Sequence, residues 1–266
     1  MNKSSRFTKW MLWPPHQPLS AGHVILAMAT WLILLSALIY AQSRLAVQWH
    51  FDRVAKYSIA LWHGYQMTLV IAMVVLLGSI ILGLIFYSAL QSSFVLFRVL
   101  YYGILQICRG SPLIVFLIFS YYIIAQSLGL HDRLMSGIVI LSIYFATAIA
   151  EIIRGGMQDI PPTQYDVAKS FGLGSYKTFI YVIFPQLIQR ILPSLTNQIS
   201  IIIKDTSLLS IIGIAEFYQS STNAANQTYA SLEFYLVMAI GYLAITIPMS
   251  FLSQYLEKRT GDTATA

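Results

Sequence analysis

The feature that most limits what this chain can fold into is a set of long runs free of Asp, Glu, Lys and Arg. They are Val24–Ser43, Met67–Leu90, Gly110–Leu130, Leu134–Ala150 and Phe234–Leu256. Each reaches or exceeds the roughly 17 residues that a helix needs to cross about 30 Å of hydrocarbon. A sixth segment, Pro185–Ile203, has a similar length but contains Arg190, Pro193, Asn197 and Gln198. Soluble domains carry about 25% charged residues. Here 10% are charged and 57% hydrophobic, so most of the surface must face lipid. The expected fold is an all-α integral membrane protein with about six transmembrane helices.

Several function classes drop out at once. The single Cys108 excludes an intramolecular disulfide framework and a Cys-based metal site. The five His (16, 23, 50, 63 and 131) flank the spans, with none paired at i, i+4, so neither metal binding nor His-based catalysis is expected. Net charge is +6, yet no basic block or stripe suits nucleic acid. Lys3, Arg6 and Lys9 precede the first span, as in a signal peptide. That span exceeds the usual 7–15 residues, however, and Ile39-Tyr40-Ala41 is a poor cleavage site, so a retained helix is expected.

Basic residues scattered beside apolar spans set orientation. In a six-span arrangement, one side holds residues 1–23, 91–109, 151–190 and the C-terminal tail, with eleven Lys and Arg against five opposite. The richer side is the cytoplasmic one, which puts both termini in the cytoplasm.

The longest loop on that side contains "YDVAKSFGLGSYKTFIYVIFP" (165–185). Pro161-Pro162 stops the helix before it. Thr163 through Asp166 has the spacing of a capping box, which predicts a helix from Gln164 to about Phe171. Gly172 suits its left-handed terminator. Ser175 is placed to cap a second helix through Ile183, and Pro185 to end or kink it. A two-turn helix is unstable alone in water. Tyr165, Ala168 and Phe171 share one face, which must dock either onto this protein or into a socket on a partner.

These residues resemble the cytoplasmic loop of the membrane subunits of ATP-binding-cassette importers. That signature reads Glu-Ala-Ala, three residues, Gly, nine residues, Ile, one residue, Leu-Pro. Asp166-Val167-Ala168, Gly172, Val182 and Phe184-Pro185 keep the spacing, with Asp for Glu, Val for Ala, Val for Ile and Phe for Leu. The stretches at 109–122 (RGSPLIVFLIFSYY), 150–174, 182–198 and 203–217 (IKDTSLLSIIGIAEF) resemble the polar-amino-acid branch, with Ser111 in place of a Thr. The resemblance covers about residues 64–256. It implies a type I importer core of five helices at 64–256, with a coupling loop at 155–185 and a cytoplasmic tail at 257–266. Residues 1–63, with one helix, would be an N-terminal extension.

The resemblance further implies a permease subunit in the bacterial inner membrane, moving a polar amino acid or close derivative by alternating access. Two ATP-binding subunits, a second identical or homologous permease and a periplasmic solute-binding protein would be its partners. Gln164, Tyr165, Asp166, Ala168, Lys169, Ser170, Phe171 and Gly172 would form the coupling helix and its hinge-like end. ATP and Mg would sit on the partner ATPase, because this chain has no Gly-x-x-x-x-Gly-Lys-[Ser/Thr] and Gly172-x-Gly174 is too short to cradle a nucleotide. The chain is thus read as a transporter subunit without catalytic residues or cofactor of its own.

A polar solute needs a polar path. Gln186, Arg190, Pro193, Asn197, Ser200 and Lys204 recur at helical spacing on one face. Such a face is costly in lipid, so it lines a cavity or bonds to other helices. Arg190, Asn197, Ser200 and Lys204 are the candidate pathway residues. Glu151 and Arg154, three apart, suit a local pair or a gate. Ser79 and Gly83 have small-xxx-small spacing for close helix packing, and Pro248 suggests a kink in the last span. An ATP-independent channel or secondary carrier is the alternative. It would leave the helix-Gly-helix-Pro loop without a purpose, and the clear spans lack the central Asp or Glu of a proton relay.

Overall fold

The computed structural model describes residues 49–264 and scattered positions between 26 and 40. Half of the first expected span, Val24–Ser43, therefore lies outside the described residues. Packing divides the chain into Met1–Trp49 and His50–Ala266. The second unit is wholly helical among the described residues.

This unit opens with α1 (Phe51–Lys56) and runs into α2 (Ser58–Gln91). With 34 residues and neither proline nor charge, α2 is about 51 Å long at 1.5 Å per residue. It packs along α5 (Arg133–Gln158). A Cβ on Gly78 would stand 2.6 Å from Ser142 Oγ, and one on Gly83 would stand 2.6 Å from Ile149 Cγ2. Paired positions rise together along both helices, so α2 and α5 run parallel. Lipid tails are as apolar as leucine, so association here depends on close approach, and small residues permit it. Ser142 also donates to the Val75 carbonyl across the seam at 3.4 Å.

Parallel neighbours need a return path. It consists of α3 (Val95–Gly110) and α4 (Leu113–Phe119), the latter extended by a π-helical turn at Ser120–Ala125. The expectation of one span over Gly110–Leu130 is corrected. The helix breaks at Ser111-Pro112, and the two arms are bent by 117°. Proline lacks an N–H and forces the residue before it out of helical geometry, which leaves Ser111 extended at ψ 142°. The connection at 91–109 also proves to be largely helix. On α3, Tyr101, Leu105 and Cys108 form a buried stripe at helical spacing, of which Tyr101 and Leu105 cluster with Phe86 and Tyr87 of α2 and Ala150 of α5.

After α5 come α6 (Thr163–Ser170), α7 (Ser175–Thr178), a π-helical turn at Phe179–Ile183, and α8 (Phe184–Asp205) with a 3₁₀ extension at Thr206–Ile212. Ser175 through Ile212 is one 38-residue apolar path, so the doubtful segment Pro185–Ile203 lies inside a helix fit to cross a membrane. Of the two outcomes expected at Pro185, an end or a kink, the end does not occur. Pro185 sits in the first turn of α8, and the wider π-helical ladder ahead of it lets the helix continue despite the missing N–H. Next come α9 (Phe217–Thr228) and α10 (Ser231–Ala264), in which helix continues on both sides of Pro248.

The main core draws Ile71 and Val75 from α2, Leu117 from α4, Leu141 and Phe145 from α5, and Ile202 and Leu209 from α8 and its extension. Among the described residues, four helices are long and apolar enough to cross a membrane, and the bent α3–α4 pair makes five. Residues 51–63, assigned from sequence to the extension, pack onto α9 and α10. Arg53 donates to the Thr228 carbonyl at 2.6 Å, and Leu61 shares a core with Phe217 and Phe234.

Candidate functional site

Four groups of polar residues stand out from this apolar frame. The first is α6. Pro162 already has helical angles (φ −55°, ψ −29°), and the Pro161 and Pro162 carbonyls accept from Gln164 and Tyr165 at 3.0 Å. The helix therefore starts within the proline pair, and the Thr163–Asp166 capping box expected from sequence does not form. Ser175 likewise makes no side-chain cap, because Gly174 takes that position.

The C-terminus of α6 follows from glycine chemistry. Gly172 lies at φ +74°, where a side chain is strained. Its amide donates to Lys169 O at 2.9 Å, and Leu173 donates to Ala168 O at 3.1 Å, which is a Schellman closure. Ala168 is buried and Gln164 half-buried, with Gln186 of α8 donating to Gln164 Oε1 at 3.3 Å. Tyr165, Asp166, Lys169 and Ser170 are exposed, and Phe171 is 81% exposed. Tyr176 beyond the glycines is 78% exposed. Two aromatic rings thus stand uncovered on a glycine-hinged loop.

The second group is the α8 stripe. Its register is helical throughout, but its surroundings alternate. Arg190 is half-buried, Asn197 and Lys204 are exposed, and Pro193 and Ser200 are buried. The Pro193 carbonyl accepts from Ser253 Oγ of α10 at 2.9 Å, whereas Ser200 Oγ has no hydrogen-bond partner among the described residues.

The third group gathers on the last turns of α5. Glu151 receives Arg154 Nη2 at 2.7 Å, Arg109 Nη2 of α3 at 3.2 Å and the Tyr101 hydroxyl at 2.8 Å. One carboxylate thereby ties α3 to α5.

The fourth group lies at the opposite end of α2 and was missed from sequence. Glu216 is 0% exposed and precedes α9. Its oxygens accept from the Tyr218 and Gln219 amides at 2.9 Å, from Thr68 Oγ1 at 3.1 Å and from the Tyr242 hydroxyl at 3.2 Å. Burial pushes its pKa above the ordinary carboxylate value, against the pull of these donors. A lone acid between apolar Ile214-Ala215 and the polar run from Tyr218 was the available signal. Glutamate is an uncommon N-cap, and so the signal was weak. Among the described residues no three His, Cys, Asp or Glu gather as a metal set.

Comparison with known proteins places this geometry. Residues 79–262 match the family described as binding-protein-dependent transport system inner membrane component. The inner membrane amino-acid ABC transporter permease protein YhdY of Escherichia coli is 35% identical over 211 residues, covering 76% of this chain and 57% of that protein. The probable glutamine ABC transporter permease protein GlnM of Bacillus subtilis is 30% identical over 210 residues, covering 79% and 95%. A crystal structure of an amino acid ABC transporter with histidines superposes with a TM-score of 0.72 at 28% identity, covering 80% of this chain and all of that one. The inward-facing MetNI methionine transporter shares the fold at a TM-score of 0.58 and 16% identity, covering 76% and 95%. The chain belongs to the binding-protein-dependent transport system inner membrane components, the membrane-spanning permease subunits of ATP-binding-cassette importers.

Proposed function

We propose that this permease moves a polar amino acid into the cytoplasm by alternating access, driven by ATP hydrolysis on separate chains. The observation that carries the coupling is α6. Its one buried side chain, Ala168, anchors it, while Phe171 is left largely uncovered and Tyr165 partly so by their own protein. Exposed aromatics are the usual anchors of a protein interface. Gln164–Gly172 would seat in an ATPase subunit, with Gly172 as the fixed end about which the helix transmits force. Two such ATPases carry ATP and Mg²⁺, and a second permease completes the membrane pair. A periplasmic binding protein delivers solute, and both termini of this chain face the cytoplasm.

The amino acid class follows from the relatives, whose names specify amino acids in general and glutamine in particular. Within the chain, Arg190, Asn197, Ser200 and Lys204 are the proposed pathway residues. The unpartnered Ser200 hydroxyl supports that reading, since a buried hydroxyl costs free energy until something bonds to it. Glu151 and Arg154 would act as a gate, because the same Glu151 carboxylate also holds Arg109 and Tyr101 of α3 against α5.

The test is co-isolation followed by uptake. The tagged full-length chain should bring down an ATP-binding subunit. Vesicles holding the assembled complex should accumulate labelled polar amino acid only with ATP inside and binding protein outside. Uptake by the chain without any ATPase would establish the channel or carrier alternative instead.

A further inference from the structure

At the α6 end of the bundle a cleft of about 390 Å³ opens between α2, α3 and α5, and neither the coupling loop nor the α8 stripe uses it. Tyr87, Gln91, Tyr102, Arg154 and Gln158 line it. Its electrostatics are unbalanced. Arg109 and Arg154 both pair with the single carboxylate of Glu151, so three charged groups leave one positive charge uncompensated. Arg154 Nη1 reaches Gln158 Oε1 only at 3.4 Å. The Tyr87 hydroxyl accepts from Gln91 Nε2 at 3.1 Å and keeps its own proton free to donate.

The cleft stands at the depth of lipid headgroups. The apolar part of α2 runs from Met67 to about Tyr87, which is about 31 Å at 1.5 Å per residue and matches the hydrocarbon thickness. Tyr87–Gln91 therefore falls at the membrane boundary. Toward the bilayer centre, Leu84 of α2 shares the helix face of Tyr87 and Gln91 and is exposed, and Tyr102 of α3 flanks the opening. A net-positive polar foot beneath an apolar wall has the two chemistries of an anionic phospholipid. A zwitterionic headgroup fits less well, because no carboxylate lines the cleft and Glu151 is already taken by two guanidinium groups.

We propose that this cleft binds the phosphate of an anionic phospholipid. Arg154, which shares its only carboxylate partner with Arg109, supplies the counter-charge, Gln91, Gln158 and Tyr87 supply hydrogen bonds, and an acyl chain lies along Leu84. The site requires only that α2 crosses the bilayer; it shares Arg154 with the proposed gate, so lipid binding is read on the protein without solute or ATPase.

The experiment titrates the delipidated full-length protein in detergent with phosphatidylglycerol, phosphatidylcholine or inorganic phosphate, following the unfolding midpoint and lipid adducts by native mass spectrometry. Phosphatidylglycerol should raise the midpoint and persist as an adduct, while the other two leave it near its starting value. Arg154→Gln should weaken phosphatidylglycerol binding roughly tenfold. Because that change also disturbs Glu151, Gln91→Glu is the second variant. It leaves Arg154 and Glu151 in place but adds a carboxylate that neutralises the excess positive charge, and should abolish the phosphatidylglycerol shift. Equal shifts with phosphatidylcholine, a full shift with inorganic phosphate, or a phosphatidylglycerol response retained by Gln91→Glu would each overturn the assignment.

Discussion

Thr68 of α2 and Glu216, 148 residues later, are joined by a 3.1 Å hydrogen bond in a fully buried setting. Thr68 Oγ1 in turn accepts from the Phe217 amide at 3.1 Å, so one hydroxyl serves both the carboxylate and the helix behind it. With the Tyr242 hydroxyl on a third helix, the pair clips α2, α9 and α10 together. Glu216→Ala would strand several buried donors at once. It should destabilise the protein by about 3 kcal/mol, read from unfolding in mixed micelles.

The same residue predicts a pH dependence. Burial raises the Glu216 pKa above its ordinary 4.5. The folded state then holds the proton over a range where the unfolded chain has released it. The stabilisation is complete below about pH 4.5 and is lost as pH rises through the raised folded value. Relative to Glu216→Gln, which does not titrate, wild-type stability should therefore fall with increasing pH above 4.5. A flat difference would show that the burial does not govern this group.

The two loop glycines separate conformation from space. Gly172 sits at φ +74°, Gly174 at φ −68°, and a Cβ on either meets nothing within 4 Å. Gly172→Ala should cost about 1 kcal/mol of local stability through backbone strain alone. It should lower the ratio of solute moved to ATP hydrolysed while leaving membrane insertion intact. Gly174→Ala should behave as wild type in the same reconstituted assay.

Phe171→Ala removes a ring that touches little of its own chain, so the unfolding midpoint should not move. If the ring anchors the ATPase, affinity for that subunit should drop by about 2 kcal/mol, or roughly thirtyfold. Quantitative pull-down of the tagged chain measures this. Unchanged recovery of the ATPase would move the contact elsewhere on the loop.

At the α2–α5 seam, Gly83→Val would drive its side chain into Ile149 and the Ala146 carbonyl. Overpacking of this kind should cost about 1–3 kcal/mol. Gly103→Ala, where a Cβ meets nothing within 4 Å, is the matched control and should be neutral.

Much of the architecture was legible because lipid imposes a simple rule. Charge-free runs of bilayer length mark α2, α5 and α10 directly, and Gly172 announced the end of α6 through the one conformation that favours glycine. Proline was read less well. Pro112 marks a sharp bend at the head of an expected span, and Pro185, expected to end or kink its helix, does not end it. A proline removes one hydrogen bond in either case, but whether the helix stops depends on the ladder geometry and packing around it.

By itself the sequence determined the solvent, the class of fold and the placement of a short glycine-ended helix in a basic loop, since each follows from local composition or spacing, and its motifs carried the resemblance to the family. Only the tertiary structure decided that α2 and α5 run parallel through a glycine–serine seam, that one Glu151 serves two arginines, and that Glu216 is a buried clasp. These depend on groups far apart in the chain meeting in a low-dielectric interior. There a single unpaired donor or a few tenths of an ångström of overlap outweighs any local preference.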